Sequence, residues 1–362
     1  MGWFDTYVSN TLGSTGCQVH FDADEVQTGR IYYKLFSGGK FRYSLFFSNT
    51  IDSTYKPEYQ SYANLLCGQW DILDAAVGIC SSVSMEVAGE VTDFTPLTFD
   101  GAQQKTVMPG ESFFSDPVEL AGKKGQYLCY QITYTGKMLP YHLESVLPTF
   151  VKKDGAWIPD KKVPVPSMIG CDRKVAAKIG YLGDSITQGI GTPPNGYDHW
   201  SALVSEAIGD RYSYWNLGIG YGRGQDAASD GAWLSKAKEM DAVVVAYGSN
   251  DVGRGRTLEQ MKQDMTAIVD KLKSVGIPVF LISVPPFNWK DDFLERWNGI
   301  NDYLIHTLSK KADGFLDIAP LLTSKEEAGV AIYGTHPNEE GCKIWADAMF
   351  PPFQKFLETL VK

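Results

Sequence analysis

The second half of the chain alternates short apolar runs with helical stretches, and this constrains the fold more than any other feature. Residues 178–182, 212–216, 242–247, 279–284 and 314–317 are five largely apolar runs, the pattern of strands buried on both faces of a sheet. Stretches of helical periodicity such as 257–274 and 292–310 lie between them. Strands joined by helical crossovers predict a parallel, doubly wound α/β sheet.

The chain ahead of this region has a different texture. Residues 30–36 (RIYYKLF) and 41–47 (FRYSLFF) flank Ser37-Gly38-Gly39-Lys40 and read as a hairpin with a four-residue loop. Further aromatic and β-branched runs follow at 72–85, broken by Gly78, and at 97–99 and 126–134. Gly and Pro punctuate them at sandwich-like intervals, and no long amphipathic helix intervenes. A jelly-roll-like β-sandwich is expected. Residues 152–173 (KKDGAWIPDKKVPVPSMIGCDR) are rich in Lys, Pro and Asp and read as an interdomain connection. The expected domains are therefore 1–172, a β-sandwich with its linker, and 173–362, an α/β domain.

With 33 basic and 43 acidic residues, a net charge of −10 and a pI near 5.1, the chain lacks the electrostatics of a nucleic-acid binder. A neutral small molecule is the more natural partner. The longest apolar runs are about six residues, against the roughly 18 or more of a membrane span. Residues 1–20 have neither a basic start nor an apolar stretch, so no secretory signal is read and the cytoplasm is the expected location. Gly2 and Thr6 fit myristoylation spacing, but bulky Trp3 and Phe4 and acidic Asp5 weaken that match. Cys17, Cys67, Cys80, Cys129, Cys171 and Cys342 show no C-x-x-C spacing and no nearby histidine pair. They read as reduced, buried thiols, and neither metal nor cofactor is expected. The sequence does not indicate an oligomeric state.

Ligands of a doubly wound sheet bind at the carboxyl ends of its strands. Gly183-Asp184-Ser185 follows the first strand and places a hydroxyl where strand turns into helix. After the second comes the glycine-rich turn Asn216-Leu217-Gly218-Ile219-Gly220-Tyr221-Gly222, whose backbone N–H groups are candidate oxyanion donors. Gly248-Ser249-Asn250-Asp251 follows the third and offers a side-chain amide. Gly334-Thr335-His336-Pro337, before the last helix, offers an imidazole. A serine hydroxyl becomes a good nucleophile when a histidine takes its proton, so these residues make up a complete acyl-transfer set. Singly, each has a plainer role: serine as a helix cap, Asn-Asp as a turn, His-Pro as a loop.

In this order, Gly183-Asp184-Ser185, the turn 216–222, Gly248-x-Asn250-Asp251 and His336 resemble the successive blocks of the SGNH (GDSL) hydrolase superfamily, over residues 178–362. The resemblance implies a flavodoxin-like three-layer α/β/α fold. It also implies Ser185 as nucleophile, His336 as general base, and the amides of Ser185, the glycine turn and Asn250 as the oxyanion hole. Two positions depart from the family. Its second-block glycine, five residues after the asparagine, is Tyr221 here, whose backbone N–H survives, with Gly220 or Gly222 as alternates. The family's Asp three residues before the histidine is Tyr333. Some SGNH carbohydrate esterases are similar in lacking it. They work with a Ser-His dyad, the imidazole oriented by a backbone carbonyl, and carry a β-sandwich ahead of the hydrolase domain. This implies an esterase that removes acetyl groups from acetylated sugars or oligosaccharides.

Three other functions compete. A lipid esterase or thioesterase fits the same superfamily. A degraded, inactive SGNH-like carbohydrate-binding protein would accommodate Tyr333. Gly222-x-Gly224-x-x-Ala227 with Asp251 outlines a dinucleotide fingerprint, though it leaves Ser185 and His336 unexplained. Trp289, after the fourth strand, is a candidate sugar platform or core residue. In Tyr197-Asp198-His199-Trp200, Asp198 is the expected helix cap and His199 a candidate at the site mouth. His20, His142 and His306 read as structural or solvated.

Overall fold

Two antiparallel sheets and one parallel sheet gather the strands of the computed structural model, which describes residues 2–53 and 63–361. The chain divides into a unit ending at Lys174 and a unit beginning at Val175, with Ser213–Trp215 grouped with the first.

In the first unit, Val19–Lys34 and Tyr127–Tyr141 are the long central strands of a seven-stranded sheet. Thr149–Lys153 and Ala156–Pro159 extend it on one side and Trp70–Cys80 on the other. The second sheet is built on Gly39–Ser48, which pairs with Met168–Cys171 along one edge and with Ser112–Phe114 and Val118–Gly122 along the other. Among the described residues of this unit, Trp3–Thr6 is the only helix.

Two sequence expectations are corrected here. Val19–Lys34 and Gly39–Ser48 do not form a hairpin, because they lie in different sheets. The intervening backbone is hydrogen bonded elsewhere: Leu35 N–H donates to the Gln126 carbonyl, and Ser37 N–H to Asn10 Oδ1. Gly38 lies so close to the 123–124 backbone that a Cβ would come within 2.7 Å of Lys124 N. Residues 152–173 are likewise no free connection, since they supply strands to both sheets. Their composition reflects an exposed edge strand, Ala156–Pro159, followed by the fully buried Met168–Cys171.

In the parallel sheet, β1 (Lys178–Gly183), β2 (Ser213–Gly218), β3 (Ala242–Ala246), β4 (Val279–Ile282) and β5 (Gly314–Leu316) follow the order β2-β1-β3-β4-β5. The pairs β1/β3, β3/β4 and β4/β5 are parallel. This is the order 2-1-3-4-5 of a doubly wound sheet, with its switch point between β1 and β3. Burial makes β-branched runs such as Ala242–Ala246 strands, and amphipathic periodicity makes the crossovers helices.

The helices are α1 (Ser185–Gln188), α2 (Trp200–Ile208), α3 (Gly224–Ala228), α4 (Ala232–Ala237), α5 (Ser249–Gly253), α6 (Leu258–Ser274), α7 (Asp291–His306), α8 (Ala319–Leu322) and α9 (Glu339–Leu360). A capping box of Thr257 and Gln260 starts α6, and Lys271 and Lys273 lie in its last turn against the helix dipole. α2 packs on α9, and α6 packs on α3 and α7. Among the described residues, no helix is long and apolar enough to cross a membrane. All six cysteines are buried free thiols.

Candidate active site

Ser185 opens α1 directly after β1. The cap is Asp184, whose Oδ1 accepts from Ile186 N–H at 3.0 Å. Gly183 permits this tight strand-to-helix turn. A Cβ there would collide with Thr187 Oγ1 and stand 2.8 Å from the Ala246 carbonyl oxygen on β3. Burial raises the Asp184 carboxyl to about 7, the Ile186 amide opposes the rise, and the neighbouring Asp251 charge adds to it.

The turn after β2 is brought to α1 by Asn216. Its buried side chain donates to the Thr187 carbonyl at 3.0 Å and accepts from Gly218 N–H at 2.9 Å. Ile219 N–H reaches the Gly183 carbonyl at 3.2 Å. Ile219–Gly220–Tyr221–Gly222 closes as a turn with Gly222 N–H donating to the Ile219 carbonyl at 3.0 Å. Gly222 is thereby removed as an alternate oxyanion donor. Tyr221 sits at the third position with φ +62°, a conformation that favours glycine. This accounts for the glycine expected there and for the cost of its absence, about 1 kcal/mol. Among the described residues, the backbone N–H groups of Ser185 and Tyr221 meet no protein acceptor.

Asn250 lies in α5, after β3. Its Nδ2 donates to the Gly222 carbonyl at 2.9 Å and its Oδ1 accepts from Arg254 Nε at 3.3 Å. An amide nitrogen carries two hydrogens, so one remains for a ligand.

His336 sits two residues ahead of Asn338, which caps α9 by accepting from Gly341 N–H at 2.9 Å. Its Nε2 lies 3.0 Å from Ser185 Oγ. A neutral imidazole protonated on Nδ1 accepts the serine hydroxyl in this geometry. Burial holds the His336 pKa below the usual histidine value, so the neutral form is favoured. Its flank is met edge-on by Phe287, ring centroids 5.0 Å apart and planes at 80°. Among the described residues Nδ1 has no hydrogen-bond partner, so the backbone carbonyl expected to orient the imidazole is not found there. Tyr333 is turned away: its hydroxyl donates to the Pro286 carbonyl at 3.2 Å and its ring packs on Gly341.

Sequence reasoning missed three residues. Phe287 looks like any loop aromatic. Gly191, with φ +106°, lets the loop after α1 pass beside the histidine, since a Cβ there would come within 2.7 Å of His336 Cβ. Arg254 places its guanidinium 4.8 Å from the Tyr221 ring centroid.

Other candidates are displaced from the site. Trp289 is 7% exposed, stacked under Phe287, and is a core residue rather than an open platform. The cap of α2 is His199 itself, not Asp198: its Nδ1 accepts from Ala202 N–H at 3.3 Å, and burial lowers its pKa to about 4. His142 is buried, while exposed His306 lies 3.7 Å from Asp302. Asp251 is buried and accepts from Gly224 N–H at 3.0 Å, which overturns the dinucleotide alternative, because a ribose-binding acid must face the ligand.

A doubly wound, flavodoxin-like sheet with a serine hydroxyl held against an imidazole at its carboxyl edge has the architecture for acyl transfer through a serine nucleophile. Residues 181–344 match the model of the GDSL-like Lipase/Acylhydrolase family. Residues 181–344 thus make up a GDSL-like lipase/acylhydrolase domain within the C-terminal half of the chain. No curated protein matches the chain. Among solved structures, it is similar to a member of the lipolytic G-D-S-L family from Veillonella parvula, with 20% identity over 49% of this chain and 98% of that one, TM-score 0.42. It is also similar to a psychrotrophic esterase from Pseudoalteromonas sp. (18%, 50% and 98%, 0.38) and a lipase/acylhydrolase from Enterococcus faecalis (18%, 49% and 95%, 0.38).

Proposed function

We propose that the protein is a serine esterase that removes acetyl groups from acetylated sugars or oligosaccharides through an acyl-enzyme on Ser185. The observation that carries the reading is the 3.0 Å contact between Ser185 Oγ and His336 Nε2. In the first half-reaction Ser185 Oγ bonds to the acyl carbon while its proton passes to His336. The C–O bond to the sugar then breaks and the proton goes to the leaving oxygen. In the second half-reaction water takes the sugar's place, acetate leaves, and Ser185 regains its proton. The oxyanion formed in each half is received by Ser185 N–H, Tyr221 N–H and the remaining Asn250 Nδ2 hydrogen.

The substrate class is supported by two features. To protonate the leaving oxygen, His336 must face the alcohol half of the ester, and Phe287 stands beside the imidazole where the C–H face of a sugar ring can pack. The chain also carries a β-rich first unit ahead of the hydrolase domain, in the layout of the dyad carbohydrate esterases it resembles.

The test is hydrolysis of p-nitrophenyl esters with acyl chains of two to twelve carbons and of acetylated xylo-oligosaccharide, with Ser185→Ala as control. The expected result is highest turnover at two carbons, acetate release from the oligosaccharide, and loss of several orders of magnitude in Ser185→Ala. An optimum at eight or more carbons overturns the substrate class in favour of a lipid esterase. Undiminished turnover in Ser185→Ala overturns the mechanism.

A further inference from the structure

Arg254 follows α5 directly and is partly buried. It touches two groups at once: Nε donates to Asn250 Oδ1 at 3.3 Å, and the guanidinium covers the Tyr221 ring at 4.8 Å. Asn250 Nδ2 in turn donates to the carbonyl of Gly222, the residue bonded to Tyr221. A closed bracket results, from the Tyr221 ring through Arg254 and Asn250 back to the backbone beside Tyr221.

From this bracket we infer that Arg254 is a positioning residue that fixes the Asn250 amide and the Tyr221 backbone in the orientations from which they donate to the oxyanion. The inference rests on the serine-esterase reading above. A free asparagine amide can rotate to exchange its oxygen and nitrogen. With Arg254 on one side and the Gly222 carbonyl on the other, the exchanged state sets N–H against N–H and carbonyl against carbonyl, so one orientation survives. That orientation presents the spare Nδ2 hydrogen. Donation from a cation to Oδ1 also polarises the amide and strengthens its N–H as a donor.

Tyr221 is the second half of the case. At φ +62° a residue with a Cβ is held against its own preference. Packing of the ring under the guanidinium, 4.8 Å away, opposes that backbone cost. Lysine lacks the planar fork and would perform only part of this work.

The experiment is a double-mutant cycle on p-nitrophenyl acetate hydrolysis, with Arg254→Met, Asn250→Ala and the combination, plus Arg254→Lys. Asn250→Ala is expected to lower kcat by about 10² to 10³. Arg254→Met should lower kcat by about tenfold with KM within about twofold, and lower it less than about threefold further once Asn250 is already alanine. Arg254→Lys should fall between wild type and Arg254→Met.

Full additivity of the two substitutions, or a raised KM at unchanged kcat in Arg254→Met, overturns the inference, the latter by making Arg254 a substrate contact. If Arg254→Met does not fold, Arg254→Lys in the Asn250→Ala background gives the same comparison. The esterase reading itself stands or falls separately on Ser185→Ala.

Discussion

The Tyr333 hydroxyl donates to the Pro286 carbonyl 3.2 Å away, although Tyr333 occupies the position from which an aspartate usually addresses the histidine. Tyr333→Phe should therefore leave kcat within about tenfold, roughly 1.4 kcal/mol in barrier. It should cost about 0.5–1.5 kcal/mol of stability for the lost hydrogen bond. His336→Ala, by contrast, should nearly abolish turnover. Steady-state kinetics and thermal melts of both variants check this, and a collapse of kcat in folded Tyr333→Phe would make the hydroxyl a member of the catalytic set.

Burial lowers the His336 pKa from its ordinary 6.5. A base is active when unprotonated, so lowering its pKa extends activity toward acid. The acid limb of kcat/KM on a non-ionising acetyl ester should bend below pH 6.5. Phe287→Ala, which opens the flank of the imidazole to water, should move that limb upward. A limb at or above 6.5 in the wild type would contradict the environment described.

Buried Asp184 is pushed up to about 7 from 3.8. The folded state thus keeps a proton that the unfolded chain has released, so Asp184's contribution is present in full below 3.8 and lost as pH rises through about 7. His199, lowered to about 4, has the opposite sign: its contribution is present above 6.5 and lost as pH falls through 4. Because the two oppose each other in the whole protein, the clean comparison is Asp184→Asn against wild type. An Asn oxygen still caps Ile186, so the variant should gain Tm relative to wild type at pH 8 and show a smaller difference at pH 5. Equal differences at both pH values would argue that Asp184 is ionised throughout.

Gly183→Ala should be among the most damaging single-methyl additions. Its Cβ would meet Thr187 Oγ1 and the Ala246 carbonyl, so α1 and Ser185 must shift. Overpacking of this kind costs about 1–3 kcal/mol, and displacing a nucleophile by about 1 Å costs up to about 10² in rate. Chemical denaturation and kcat measured together separate the two effects. Wild-type values in both would mean that the turn yields freely.

Ser185, Asn216, Tyr221, Asn250 and His336 were legible in the sequence because each follows a buried run or precedes a capped helix, where a parallel sheet must place its ligands. Phe287, Gly191 and Arg254 were not, because their roles depend on contacts between separate loops, which no local pattern encodes. The misread hairpin has the same origin. Two β-patterned runs around a short glycine loop look alike whether the strands pair or part into different sheets. The partners that decide, Tyr127–Tyr141 and Met168–Cys171, lie far along the chain. His199 as a cap was missed because a neutral imidazole accepts a hydrogen bond only where burial keeps it unprotonated.

The parting of those two strands bears on how the molecule comes into being. Gly39–Ser48 meets Met168–Cys171 along one edge, and Val8–Ser9 joins the same late strand from its other side. On a ribosome the sheet built on Gly39–Ser48 therefore stays open until residue 171 has emerged, however early its first strands are synthesised. Such distant pairing makes for slow folding, with apolar strand edges exposed in the interval. The parallel sheet, whose strands enter one crossover at a time, carries no comparable debt to the far end of its own sequence. During biosynthesis the β-rich unit should be the segment most dependent on chaperone protection, even though it is translated first.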